Sequence, residues 1–190
     1  MESTAIGVGR PEIKAILEGL LLVATKPLGL KELTGLLPEF SKDDILIALK
    51  LLQREYDDQC HGLEIREVAG GWRLQSKSKV REWILRLKES TPAKLGRSSL
   101  ETLSIIAYKQ PVTRAEIEHL RGVDSSGPLR ILLDRKLIKT AGRKEVPGRP
   151  LIYRTTKRFL EVFDLKDISD LPSLAELSDM EDTHELPLFK

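Results

Sequence analysis

A mainly helical (α+β) chain of two tandem winged-helix domains, each a three-helix core followed by a β-hairpin wing, is the fold class the sequence predicts. Three observations predict it. Apolar residues recur at helical spacing through three successive segments and then switch to alternation, and this happens twice. Proline and glycine fall between the segments, where a chain must turn. A shift of 84 residues lays the second half on the first, with Pro27 on Pro111, Leu28 on Val112, Leu33 on Ile117 and Leu36 on Leu120. Under the same shift Ile45, Ala48 and Leu49 fall on Leu129, Leu132 and Leu133. The period is longer than the ~20–50 residues of a solenoid repeat and points to duplication of a whole small domain.

The first half opens with Ile13, Ile16, Leu17, Leu20 and Leu21 on one helix face, stopped by Pro27 and Gly29. A short helix follows with Leu30, Leu33, Leu36 and Leu37, ended by Pro38. Ser41 is placed to cap a third helix, buried along Ile45, Ala48, Leu49, Leu52 and Tyr56. Leu63 and Ile65, then Trp72 and Leu74, alternate with polar residues around Gly70-Gly71 and predict a hairpin. A further helix is expected with Val80, Trp83, Ile84 and Leu87 on one side.

The second half repeats the plan. Ser98-x-x-Glu101 reads as a capping box opening a helix with Leu100, Leu103, Ile106 and Ala107, broken by Pro111. Thr113-x-x-Glu116 opens a short helix carrying Ile117 and Leu120, and Gly122 closes it. Asp124 or Ser125 starts a third helix with Pro128 in its first turn and Leu129, Leu132, Leu133 and Leu137 apolar. Strands are expected at Ile138–Thr140 and Leu151–Thr155, then a helix capped by Thr156 and holding Phe159, Leu160 and Phe163. The expected organisation is a flexible N-terminus (1–10), a first domain (11–90), a linker (91–97), a second domain (98–165) and an acidic tail (166–190). The tail is expected to dock over Leu171–Leu177 and to be disordered beyond.

Composition narrows the function classes. The chain has 190 residues, 41% hydrophobic and only 5% aromatic, so its cores are aliphatic. No run approaches the ~18 apolar residues of a membrane helix, no signal peptide opens the chain, and the single Cys60 cannot form an internal disulfide. A cytosolic protein is expected. Residues 1–96 carry 15 basic and 14 acidic groups, residues 97–158 carry 14 and 6, and residues 159–190 carry 2 and 9. A neutral part therefore precedes a basic part and an acidic end.

Residues for chemistry are few. His61, His119 and His184 are far apart, and Cys60-His61 reads as a polar turn before the hairpin, so no metal site or cofactor is expected. Gly7-Val8-Gly9-Arg10 lacks a preceding strand, and no phosphate-binding loop or serine nucleophile elbow is present. Asp43-Asp44 and Asp57-Asp58 are adjacent residues at helix ends and do not face each other. No enzyme is expected.

Nor do the third helices suit base reading. One begins Ser41-Lys42-Asp43-Asp44 and the other Asp124-Ser125-Ser126-Gly127-Pro128, acidic leading ends without arginine or asparagine. Basic groups lie later, at Arg130, Arg135 and Lys136, and on the wing at Arg143, Lys144 and Arg149, leaving weak sequence-independent DNA contact open. The first helix is apolar also at Leu22 and Val23, away from its core face, as a helix covered on two sides would be.

The chain resembles the segregation and condensation protein B (ScpB) family. The residues that carry the resemblance are LETLSIIAYKQPVTRAEIEHLRGVDS (100–125), LLDRKLIKTAGRKEVPGRPLIYRTTKRFLEVFDL (132–165) and ISDLPSL (168–174). The opening ILEGLLLVATKPLGLKEL (16–33) and the Gly-Gly-Trp hairpin at 70–72 match more loosely. The resemblance implies two winged-helix domains and a homodimer formed through the N-terminal ones. It implies that the dimer binds the central part of the kleisin ScpA, which bridges the heads of an SMC ATPase that condenses and segregates chromosomes at the nucleoid. It implies no enzymatic activity. On that basis Leu20, Leu22 and Val23 are the expected dimer contacts. Tyr108, Arg143, Lys144, Arg149 and Tyr153 are expected near the kleisin, with a core role open for both tyrosines and a wing-pinning role for Arg149. The alternative is a tandem winged-helix transcription regulator, which would show tight sequence-selective DNA binding.

Overall fold

A computed structural model describes residues 12–87, 94–173 and 176. The chain divides into two compact units, Met1–Thr91 and Pro92–Lys190. The expected flexible segment 1–10, positions 91–93 of the expected linker and the tail beyond 176 lie outside the described residues.

Unit 1 contains α1 (Ile13–Val23), α2 (Leu30–Leu36), α3 (Lys42–Asp57), β1 (Leu63–Val68), β2 (Gly71–Ser76) and α4 (Arg81–Leu87), with a 3-10 turn at Ser78–Val80. Its core is Leu17 and Leu21 from α1, Leu33 from α2, Ile45, Ala48, Leu49 and Leu52 from α3, and Leu37, Ile65 and Trp72. Ser41 caps α3 reciprocally. Its Oγ accepts from Asp44 N–H (3.1 Å), and Asp44 Oδ2 accepts from Ser41 N–H (3.2 Å). Of the two leading carboxylates, Asp43 and Asp44, the second is thus folded back on the helix end.

The hairpin pairs β1 and β2 antiparallel, with Val68 opposite Gly71. Its two-residue turn is Ala69-Gly70, both at positive φ, one residue earlier than the expected Gly70-Gly71. Gly71 serves a different end. Leu28 and Trp72 exchange two backbone hydrogen bonds of 2.9 Å, and a Cβ on Gly71 would stand 2.8 Å from the Leu28 carbonyl carbon. Val68 is buried and Leu63, at the start of the strand, is exposed. The last helix forms as expected, but no residue of α4 is buried, and Trp83 and Leu87 are 60% and 85% exposed.

Unit 2 contains α5 (Arg97–Lys109), β3 (Val112–Thr113), α6 (Arg114–Arg121), α7 (Ser126–Asp134), β4 (Ile138–Arg143), β5 (Leu151–Thr155) and α8 (Lys157–Phe163), then a 3-10 turn at Ile168–Asp170. The sheet order is β3-β5-β4 and both pairings are antiparallel. Its core joins Leu103, Ile106, Ala107, Val112, Ile117, Leu129, Leu132, Leu137, Ile138, Tyr153, Phe159 and Leu165.

Several expectations are corrected here. Gly96, not Ser98, precedes α5, and Ser98 lies in the first turn with its Oγ accepting from Arg121 Nη2 (2.8 Å). Leu137 is buried but follows α7, after Lys136 turns the chain at φ 56°. Leu120 faces outward, as does its counterpart Leu36. The Thr113–Glu116 capping box, the Gly122 C-cap at φ 71° and the Thr156 cap are all present.

The first three helices of the two units start 84 residues apart: Ile13 and Arg97, Leu30 and Arg114, Lys42 and Ser126. The Leu28–Trp72 pair of unit 1 has its equivalent in Val112–Tyr153 of unit 2. The units diverge most at the third helix, where α3 has 16 residues and α7 has 9.

A Gly71→Ala substitution must part Leu28 from Trp72, and chemical denaturation should register a loss of about 1–3 kcal/mol. Gly19→Ala, on an open helix face with nothing within 4 Å of its Cβ, should instead raise stability by up to about 1 kcal/mol.

Candidate functional site

The described residues contain no group of three or more His, Cys, Asp and Glu placed to hold a metal. Cys60 is exposed, its N–H donates to Asp58 Oδ1 (3.2 Å), and His61 packs its ring 5.1 Å from Tyr56, which makes this pair the polar turn its sequence suggested. The arrangement that remains is a set of surfaces: one apolar, on unit 1, and one composite, around the wing of unit 2.

On α1, Leu17 and Leu21 point into the core while Leu22 and Val23 stand 69% and 79% exposed. Leu20, grouped with them in the sequence, is half-buried against its own core instead. The 3.6-residue period explains the split: Leu20 lies three residues from Leu17 on the core side, whereas Leu22 is five residues from it. The outward α3 residues Ile47 and Leu51, one turn apart, are exposed as well. Sequence periodicity found the core stripe of α3 but gave no reason to single out this second stripe.

In unit 2 the wing is a loop from Lys144 to Pro150 held by its own polar groups. Lys144 N–H donates to Pro150 O (2.9 Å) and Arg149 N–H to Val146 O (2.9 Å). The Arg143 guanidinium donates to Arg149 O (3.0 Å), and Arg149 Nη2 pairs with Glu145 Oε1 (2.8 Å). Both arginines therefore brace the wing while remaining exposed. Lys144 reaches across to α6, where Nζ meets Glu116 Oε1 at 2.5 Å. The other oxygen of Glu116 accepts from Thr113 N–H (2.7 Å) and Oγ1 (2.8 Å). With the Lys144 bond foremost and the Thr113 donors next, the Glu116 carboxyl is lowered to a pKa of about 2.

Beside this latch a groove of about 540 Å³ is lined by Lys109, Pro111, Val112, Ala115, Glu116, His119 and Leu120. The outward Leu120 forms part of its wall, and β3 is the edge of the sheet next to it. Thr113-x-x-Glu116 was legible as a cap in the sequence. That the same glutamate would hold the wing was not, because the 28 residues separating it from Lys144 carry no periodic signal.

Tyr108 and Tyr153 part company. Tyr108 is half-buried, and its Oη donates to Pro172 O at 2.9 Å, tying α5 to the segment where Leu171 packs on the unit 2 core. Burial first, and the Glu176 carboxylate second, hold its phenol above the ordinary range. Tyr153, expected near a partner contact, is a core residue. It is paired with Val112 on one side and Thr140 on the other and presents no accessible face for binding.

The acidic start of α7 is neutralised from α6. Arg114 donates to Glu118 Oε1 and Asp124 Oδ1, both at 2.6 Å. Ser126 O–H and N–H, and then Arg114, hold Asp124 below the usual carboxylate range. Arg121, whose side chain is only 5% exposed, joins Ser98, Ser125 and Glu101 and so binds the three helix ends together. These charges are spent on the fold.

The family model "Segregation and condensation complex subunit ScpB" matches residues 15–174. This chain belongs to the ScpB family. Segregation and condensation protein B of Syntrophotalea carbinolica is 45% identical over 162 residues, which cover 85% of this chain and 82% of the relative. ScpB from Mycobacterium tuberculosis, of known crystal structure, is 33% identical, covers 79% of this chain and 93% of that one, and gives a TM-score of 0.39. A crystallised dimer of an ScpB N-terminal domain complexed with ScpA peptide is 26% identical, covers 40% of this chain and 93% of that one, and gives a TM-score of 0.37. The protein is accordingly a segregation and condensation complex subunit. No helix among its described residues is long and apolar enough to cross a membrane.

Glu116 sets a pH dependence. Its folded-state pKa of about 2 lies below the ordinary 4.5, so its stabilising contribution is present above 4.5 and is lost as pH falls toward 2. Carboxyl NMR titration should find it among the most acidic glutamates, and Lys144→Ala should move it upward. Glu116→Gln should remove its part of the acid-induced destabilisation between those two values.

Proposed function

We propose that this ScpB-family chain is the non-catalytic subunit of an SMC–kleisin complex, working at the nucleoid in the cytoplasm. In this reading it forms a homodimer through unit 1 and binds the central region of the kleisin ScpA, and through it the SMC ATPase. The observation that carries the reading is the pair Leu22 and Val23, apolar and more than two-thirds exposed at the end of a helix whose other face is fully used by its own core. Apolar groups left outside a satisfied core are what a partner protein covers. Each such side chain contributes roughly 1.5–3 kcal/mol when buried, so a symmetric contact using both from each protomer offsets a large part of the cost of association.

Unit 2 offers the kleisin a different surface. The groove beside β3 takes an apolar side chain of an extended segment on Pro111, Val112 and Leu120. Lys144, Arg143 and Arg149 set its polar rim, and Tyr108 closes α5 against the chain at Pro172. A dry centre with a charged rim is the common anatomy of protein contacts. Tyr153 contributes only by holding the sheet from within.

Size exclusion with light scattering should show a dimer for the parent chain and a monomer for the Leu22→Glu, Val23→Glu double variant at the same concentration. The dimer Kd should rise at least roughly a thousandfold. A variant that stays dimeric removes the dimer assignment. Co-expression with the kleisin from the same genome should yield a co-eluting complex with the parent chain. Arg143→Glu with Lys144→Glu should abolish it, and Leu120→Asp should do so without touching the wing. Intact co-elution of both variants would overturn the groove assignment.

A further inference from the structure

We infer that the outward face of the unit 2 sheet, carrying Lys139 and Arg154 and flanked by Lys136 and Lys157, binds the phosphate backbone of double-stranded nucleic acid without regard to sequence. The register places Lys139 directly opposite Arg154 on adjacent strands. Both are exposed, while their neighbours Ile138 and Tyr153 turn inward. Like charges directly opposite each other on a sheet are destabilising. The fold thus carries a repulsion that an anion lying across the two strands would relieve.

The same end of the sheet gathers two more exposed cations. Thr156 N–H donates to Leu137 O (3.1 Å) and Thr156 Oγ1 to Lys136 O (2.6 Å), which brings the chain at Lys136 beside the chain at Lys157. None of Lys136, Lys139, Arg154 and Lys157 has an ion pair or side-chain hydrogen bond with another described residue. Six other cations of the unit are paired. Arg97, Arg114, Arg121, Lys144, Arg149 and Arg158 are each held by a carboxylate. Asp134, two residues before Lys136, leaves the group with a clear surplus of positive charge.

The chemistry favours phosphate over a protein partner. Protein interfaces are poor in lysine at their centre and rich in aromatic and large apolar groups. This patch is mostly lysine, Thr155 and Thr156 lie between Arg154 and Lys157, and the intervening Leu137 and Ile138 are buried in the core. Point charges of this kind neutralise phosphates and release counterions, whereas base reading needs side chains in a groove that the leading end of α7 does not supply.

The test is fluorescence anisotropy of a labelled DNA duplex with the full chain over a salt series. Four neutralised phosphates predict a slope of about −3.6 in log K against log salt, a loss on the order of 100-fold between about 50 and about 200 mM. A second duplex of unrelated sequence should bind within about twofold of the first. Lys139→Gln with Arg154→Gln should flatten the slope by about 2, while Arg97→Gln with Arg158→Gln, which removes equal charge elsewhere, should not. Arg154→Glu keeps the test independent of folding. It turns a repulsive pair into an attractive one, so Tm should hold or rise while duplex binding falls. Duplex binding that is absent, or unmoved by the first pair, overturns the inference. So does polyglutamate binding at the patch more tightly than the duplex.

Discussion

In both units one backbone pair closes the domain: Leu28 with Trp72, and Val112 with Tyr153. Three aliphatic helices packed on one another leave a side open to water, and the hairpin covers it only if its second strand is anchored. The residue two positions before the second helix provides that anchor through backbone pairing. Once it is in place, Trp72 and Tyr153 are carried into the two cores, and the largest side chains of the hairpins are buried. The opposite sheet face is then turned outward. The close approach needed for the pair in unit 1 leaves no room for a Cβ at Gly71. What is core and what is surface in each wing follows from this single constraint.

The cations of unit 2 divide accordingly. Its second and third helices meet through Arg114, Glu118, Arg121 and Asp124, so charges that look like a ligand site in sequence hold helix ends together. Arg143, Lys144 and Arg149 hold the wing and still line its exposed edge. Where the sheet sets Lys139 opposite Arg154, positive charge remains uncompensated. A uniformly basic stretch of sequence thereby becomes three kinds of surface with different physical consequences.

Unit 1 distributes apolar groups instead. Its cores are filled from one face of α1 and one face of α3, yet Leu22, Val23, Ile47, Leu51, Trp83 and Leu87 remain outside. The two units share a plan, and both leave apolar groups exposed; the second adds a groove and an opposed pair of cations on its sheet. The 84-residue spacing of the helix starts, retained in all three helices, shows how little of that difference needed a change in the core.

The helices, their caps at Ser41, Thr113 and Thr156 and the repeat were legible in the sequence, because capping and periodic burial are local and act within one or two turns. The resemblance to the ScpB family was legible as well, carried by the residues from Leu100 to Leu174. What local pattern could not supply was which member of an apolar or basic set faces in. Leu63 and Leu120 are left exposed, Tyr153 turns inward, and no residue of α4 is buried. The Lys144–Glu116 latch and the Lys139–Arg154 opposition join residues 28 and 15 positions apart. Such encounters are decided by strand register and by the return pairing of the wing, which exist only once distant segments have packed, and so they belong to the tertiary structure alone.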